Sequence, residues 1–140
     1  MRIALLPPDE RPNTRGYALT LGEAFGVETL TPPDDLMPRF RKPADSDGLI
    51  TWLKDVDGKV DHFLVSLELF GQGGLIPSRN GHETTRQVID RIDVVRELST
   101  PVTAYSVIQR LPGYDNASRS RQEPGYWATH GERIARFSRV

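Results

Sequence analysis

The chain has no cysteine in its 140 residues. That removes disulfides, zinc–thiolate centres and cysteine nucleophiles together. It also lacks a charge of one sign: 18 basic and 19 acidic residues leave a formal net charge of −1. Such a balance provides no electrostatic footprint for nucleic acid or for an anionic membrane. No apolar run approaches the roughly 18 residues of a membrane span. The opening MRIALLPPDERP has too short an apolar stretch for a signal peptide, so a cytoplasmic chain is expected. The three histidines, His62, His82 and His130, are scattered with no H-E-x-x-H pairing, so no zinc site is expected. No G-x-S-x-G elbow occurs, and Ser66 and Ser106 have no histidine nearby, so a serine-triad hydrolase is unsupported.

What remains alternates between two periods. Ile3 to Leu6 is a short apolar strand closed by Pro7-Pro8, because proline cannot continue a ladder. Asn13 or Thr14 is placed to cap a helix that runs to about Phe25, with Tyr17, Ala18, Leu21, Ala24 and Phe25 as its apolar stripe and Gly26 as its stop. Val27 to Thr31 is a second strand, closed by Pro32-Pro33. A long loop follows to Ser46, which is expected to cap a helix carrying Leu49, Ile50 and Leu53. The third strand spans Asp61 to about Leu69, and its continuous hydrophobicity predicts cover on both faces. Glu83 to Leu98 reads as the clearest helix, with Val88, Ile89, Ile92 and Val95 on one side. Pro101 to Val107 is a fourth strand, and a last helix starts at Pro124 with Trp127, Ile134 and Phe137. Four βα units argue for one α/β domain over residues 1–140 with a mainly parallel sheet. Two architectures fit: a doubly wound layered sheet, or half of a β/α barrel. An exposed sheet edge in either case invites self-association.

Loop lengths locate the site. The carboxyl ends of the strands lead into long polar loops, and the opposite ends into minimal turns at Gly26, Asp57-Gly58-Lys59 and Ser99-Thr100. Ligands of α/β sheets gather on the former edge. Asp9, Glu10, Arg11, Asn13 and Arg15 follow strand one; Asp34, Asp35, Arg39 and Arg41 follow strand two. Glu68, Gln72, Ser78 and Arg79 follow strand three; Ser106 and Arg110 follow strand four. Asp9, Glu10 and Glu68 are the candidate catalytic carboxylates. Glu68, in an apolar strand end, is expected to have a raised pKa suited to a general acid. Arg11, Asn13, Arg15, Gln72, Ser78, Arg79, Ser106 and Arg110 are the candidate substrate-binding groups. The Gly71-Gln72-Gly73-Gly74 run departs from both phosphate-loop fingerprints and is expected to supply positive φ for a tight loop.

Several blocks together resemble a known family: IALLPPDERPNTR, VETLTPP, FLVSLELFGQGGLIPSR, AYSVIQR and EPGYWATHGERIARFS. They are similar to the N-terminal portion of a bacterial domain-of-unknown-function family, number 4127, whose members are substantially longer. The resemblance implies that these residues belong to one site, with Glu68 standing where the family has an aspartate. It supplies no reaction. Carboxylates converging from different strand ends, without a histidine base, suggest a hydrolase-like, carbohydrate-active module. The alternative is a non-catalytic or incomplete binding module for a sugar or phosphorylated small molecule. No cofactor is expected beyond Mg²⁺ held by Asp9 and Glu10 in the phosphorylated-ligand case.

Overall fold

The computed structural model describes residues 1–79, 83–107 and 124–137. The chain divides into two compact units, Met1–Val107 and Ile108–Val140. The first holds a four-stranded parallel sheet: β1 (Arg2–Leu6), β2 (Glu28–Leu30), β3 (His62–Ser66) and β4 (Val102–Tyr105), in the order β2-β1-β3-β4. The fold is thus α/β with parallel strands, as the alternation implies. β3 returns to the far side of β1, so the order reverses there, as in doubly wound sheets. A run of consecutive barrel strands would instead put β2 between β1 and β3.

The connecting helices are α1 (Tyr17–Ala24), α2 (Ser46–Val56), α3 (Leu67–Gln72) and α4 (Thr85–Asp93). Ala4, Leu6, Phe63 and Val65 project to one face of the sheet and pack with Leu49 and Leu53 of α2 and with Leu69 and Phe70 of α3. Burying each large member of that cluster contributes about 1.5–3 kcal/mol. The other face is covered less evenly: Leu5 and Ser66 are buried there, while His62 and Leu64 are only half-buried. His62 Nε2 instead meets Thr103 Oγ1 at 2.8 Å across to β4.

Four local expectations shift. Asp45, not Ser46, caps α2, its side chain accepting from the Gly48 N–H at 3.0 Å. Thr84 caps α4 in a reciprocal box with Gln87, and the helix ends at Asp93, tightening into a 3₁₀ turn over Val94–Glu97. Neither Asn13 nor Thr14 caps α1, because Pro12–Gly16 first forms a wide turn. The α1 stripe of Tyr17, Leu21 and Phe25 is exposed. The helix seats on β2 through its small side instead: a Cβ on Gly22 would lie 2.5 Å from Thr29 Oγ1, so only glycine permits that approach.

The amino edge of the sheet is tied for structure. Asp57 accepts from Ser99 and Thr100 backbone N–H groups at 2.9 Å each, and those bonds hold its carboxyl far below the ordinary range. α5 (Pro124–Phe137) lies in the second unit, with Glu132 and Arg136 paired one turn apart at 3.4 Å. Among the described residues no helix is long and apolar enough to cross a membrane.

Candidate functional site

The register of the sheet builds the site. Leu6 of β1 pairs with Val65 of β3, and Val65 with Ala104 of β4. Counting three residues onward along each chain gives Asp9, Glu68 and Val107, one from each neighbouring strand. Strands lie about 4.8 Å apart, and β1 and β3 flank the point where strand order reverses. That crevice is where doubly wound sheets take their ligands.

Glu68 does not sit in a strand. β3 stops at Ser66, and Leu67–Gln72 turns into the short helix α3, which ends on Gly73 with a left-handed φ of 73°. Glu68 therefore stands in the first turn of a helix, 4% exposed. Its Oε1 accepts from Ser106 Oγ at 2.6 Å and the Val107 N–H at 2.7 Å; its Oε2 accepts from Ser66 Oγ at 2.8 Å. Burial pushes the carboxyl pKa up, but these donors outweigh it and hold it below the ordinary value. The expected raised pKa is corrected: the donors from Ser106, Val107 and Ser66 favour the ionised carboxylate.

Asp9 is wholly buried and still more completely satisfied. Oδ2 accepts from Arg11 Nε at 2.9 Å and Nη2 at 2.6 Å; Oδ1 accepts from the Arg11 N–H at 3.1 Å and Thr14 Oγ1 at 2.5 Å. A carboxylate has about four acceptor positions, so all of them are used. Burial again opposes ionisation, and Arg11 with Thr14 overcomes it, leaving the pKa lowered. A cation on Asp9 would have to displace Arg11. Among the described residues no group of three or more His, Asp or Glu is placed to hold a metal ion.

The service runs both ways, because Asp9 fixes Arg11. Of the five guanidinium N–H groups, two reach Asp9, and the other three meet no acceptor among the described residues. The Arg11 side chain is 40% exposed. Glu10 is engaged separately: its Oε1 accepts the Phe40 N–H at 2.9 Å, tying the loop after β2 to the loop after β1, while its Oε2 is buried without a hydrogen-bond partner among the described residues.

Tyr105, which sequence reasoning passed over as a strand residue, reaches across the end of β3, with its hydroxyl a long 3.5 Å from the Leu6 carbonyl of β1. Burial first, then the Glu68 and Asp9 charges, push its phenol up to about 12. It stays protonated and keeps a proton to donate. Only its terminal place in β4 could have singled it out. Thr14 and Ser66, the donors that settle the two carboxylates, were likewise not recognised from their spacing.

The remaining candidates divide. Ser106 joins the site through Glu68. Arg15 is committed to Asp34 at 2.5 Å and to Thr31 Oγ1 at 2.8 Å. Ser78 closes a turn onto the Leu75 carbonyl at 2.8 Å. Asn13 is exposed, and Gln72 ends α3; neither side chain has a hydrogen-bond partner among the described residues. Arg79 closes a 3₁₀ turn, Pro77–Arg79, in the backbone; its side chain and the whole of Arg110 lie outside the described residues. The glycines supply positive φ as expected, 73° at Gly73 and 125° at Gly74. They also admit the loop after β2, since a Cβ on Gly73 would lie 2.7 Å from Pro43 Cβ. The Leu75 N–H then bonds the Pro8 carbonyl at 2.9 Å, drawing this loop against the end of β1.

No curated protein and no solved structure matches the chain. A family model does, over residues 3–140, and that span contains the D-E-R-P loop, the strand-three block and every residue of the site just described. The chain belongs to the family described as Protein of unknown function (DUF4127).

Proposed function

We propose that the carboxyl edge of β1, β3 and β4 binds a small oxygen-rich molecule, a sugar or a phosphorylated compound, without hydrolysing it. One observation carries this. Asp9 and Glu68 are each engaged by their own donors and held ionised, while the Arg11 guanidinium, braced by Asp9, keeps N–H groups without an acceptor among the described residues, as Glu10 Oε2 and Arg15 Nε nearby are also left unpaired. Glycoside hydrolysis needs one carboxyl group protonated near neutral pH. Here donors pull both pKa values down, and the phenol of Tyr105, near 12, is too weak an acid to replace them. A braced guanidinium with three free N–H groups suits a phosphate or carboxylate, with Tyr105 as a further donor.

The hydrolase-like, carbohydrate-active alternative draws on a different observation: Asp9 and Glu68 each lie three residues after one of a pair of register partners, Leu6 and Val65, on adjacent strands. The two are separated by calorimetry on the full chain with glucose, glucose 6-phosphate, AMP and inorganic phosphate, with and without Mg²⁺, alongside an aryl-glycoside turnover assay. Binding predicts saturable heats for the phosphorylated ligands and no turnover. Charge-assisted bonds of about 1.5–3 kcal/mol make Arg11→Met weaken binding by about 10- to 100-fold. Turnover that disappears in Glu68→Gln would overturn the proposal in favour of the hydrolase.

A further inference from the structure

The loop after β2 carries an aromatic residue in a conformation that aromatic residues avoid. Arg39 and Lys42 exchange two backbone hydrogen bonds of 3.0 Å, closing a two-residue turn. Its first central residue, Phe40, has φ 54°, and it is the one non-glycine residue with positive φ among the described residues. Tight turns of this kind ordinarily place glycine there. The base of the loop is firm: Met37 and Pro38 are buried, the Ala44 N–H bonds the Gly73 carbonyl at 2.9 Å, and the Asp45 N–H bonds the Leu36 carbonyl at 3.0 Å. The tip is held from outside by Glu10, which accepts the Phe40 N–H. Yet Phe40 is 56% exposed. The Arg41 guanidinium stacks over it at 5.4 Å, and Arg39, Arg41 and Lys42 are all exposed. Unusual backbone held in place around a displayed side chain points to a use for that side chain.

Three consecutive residues tie this tip to the site. Asp9 braces Arg11, and Glu10 between them braces Phe40. One tripeptide thus sets both a guanidinium with unused donors and an apolar ring with the Arg41 guanidinium over it. We infer that Phe40 is a stacking platform, and that the ligand of the site is a ring-bearing phosphomonoester: its phosphate on Arg11, its ring face on Phe40. A phosphorylated pyranose and a nucleoside monophosphate share that chemistry. This deepens the binding reading above and rests on it.

Calorimetry on the full chain tests it with glucose 6-phosphate, AMP, glycerol 3-phosphate and inorganic phosphate. At least one ring-bearing probe is expected to bind ten-fold or more tighter than glycerol 3-phosphate, and whichever does identifies a sugar ring or a base as the stacked group. Phe40→Ala is expected to bring that ratio to within about two-fold while glycerol 3-phosphate binds unchanged; Phe40→Trp should retain the preference. Phe40→Gly relaxes the turn and removes the ring, so its equal loss of preference assigns the effect to the ring rather than to a distorted loop. If Phe40→Ala leaves the ratio intact while Arg11→Met abolishes binding, the platform is wrong and the binding site stands. If none of the four probes binds, both fall.

Discussion

Asp9→Asn is the sharpest single test of how the site is built, because the change is isosteric and yet cannot be accommodated. All four groups around the carboxylate donate: two guanidinium N–H groups at Oδ2, and a backbone N–H and a hydroxyl at Oδ1. An asparagine NH₂ placed at Oδ2 faces the guanidinium. Placed at Oδ1, it faces the Arg11 backbone N–H; only the Thr14 hydroxyl there can turn to accept. Either amide orientation sets a donor against a donor in a site with no solvent access. Removing one member of a buried ion pair costs about 3–5 kcal/mol. Arg11 is 40% exposed and rehydrates in part, so about 2–4 kcal/mol is expected. With a urea m-value of about 2 kcal/mol/M, the midpoint falls by about 1–2 M with an unchanged slope. Arg11→Met supplies the double-mutant cycle: the two losses should fall well short of additivity, with a coupling above about 1 kcal/mol. An Asp9→Asn protein within about 0.5 kcal/mol of the parent, or fully additive losses, would refute the view that Asp9 is the anchor of Arg11.

Glu68→Gln should behave differently, because the Ser66 hydroxyl can turn to accept from the new NH₂ while the amide oxygen still serves Ser106 and Val107; a loss of about 1–2 kcal/mol at neutral pH is expected by urea denaturation. The same variant tests pH dependence. A depressed folded pKa means the unfolded chain binds more protons, so the stability from Glu68 is complete only above the unfolded value of 4.5 and is lost as pH falls through the lower folded value; Glu68→Gln should flatten that acid decline, and an unaltered slope would contradict it. Gly73→Ala combines left-handed strain with a 2.7 Å approach to Pro43, whereas Gly58→Ala, at φ 72° with nothing within 4 Å, carries the strain alone. Calorimetric melting should show a drop of about 3–6 °C for Gly58→Ala and at least twice that for Gly73→Ala. Tyrosinate absorbance should lose its highest titration step, near 12, in Tyr105→Phe and be unaffected below pH 11.

The strands, their parallel direction and the edge that carries the long loops were legible because each rests on a local signal: double prolines closing β1 and β2, and long polar loops against minimal turns. The pairing order was not, since reversal at β1 is a property of crossovers rather than of any residue. Glu68 was misplaced for a related reason. Phe63 to Leu69 is continuously apolar apart from Ser66 and Glu68, and an apolar run does not by itself separate a buried strand from a strand passing into a short buried helix. The Gly73 stop was visible, but the switch at Ser66 was not. Identity also misjudged protonation. An acid among leucines suggests a raised pKa, but Ser106 and Val107 come from the next strand over, 38 and 39 residues later.

That correction changes what the carboxylates are for. Two anions side by side at the end of a sheet ordinarily repel, and one takes up a proton. Here each is satisfied separately, Asp9 by a guanidinium from its own loop and Glu68 by the Ser66 hydroxyl of β3 and the Ser106 hydroxyl and Val107 N–H just after β4. Neither needs the other's proton, so the pair gains nothing as an acid–base dyad. What the arrangement does gain is rigidity. Asp9 fixes Arg11, Glu68 joins β3 to the chain leaving β4, and the protonated Tyr105 phenol reaches over the gap between them. Groups held this closely before a ligand arrives lose little entropy on binding it. On the binding reading proposed above, the charges that suggested catalysis from the sequence serve to preorganise the donors that remain.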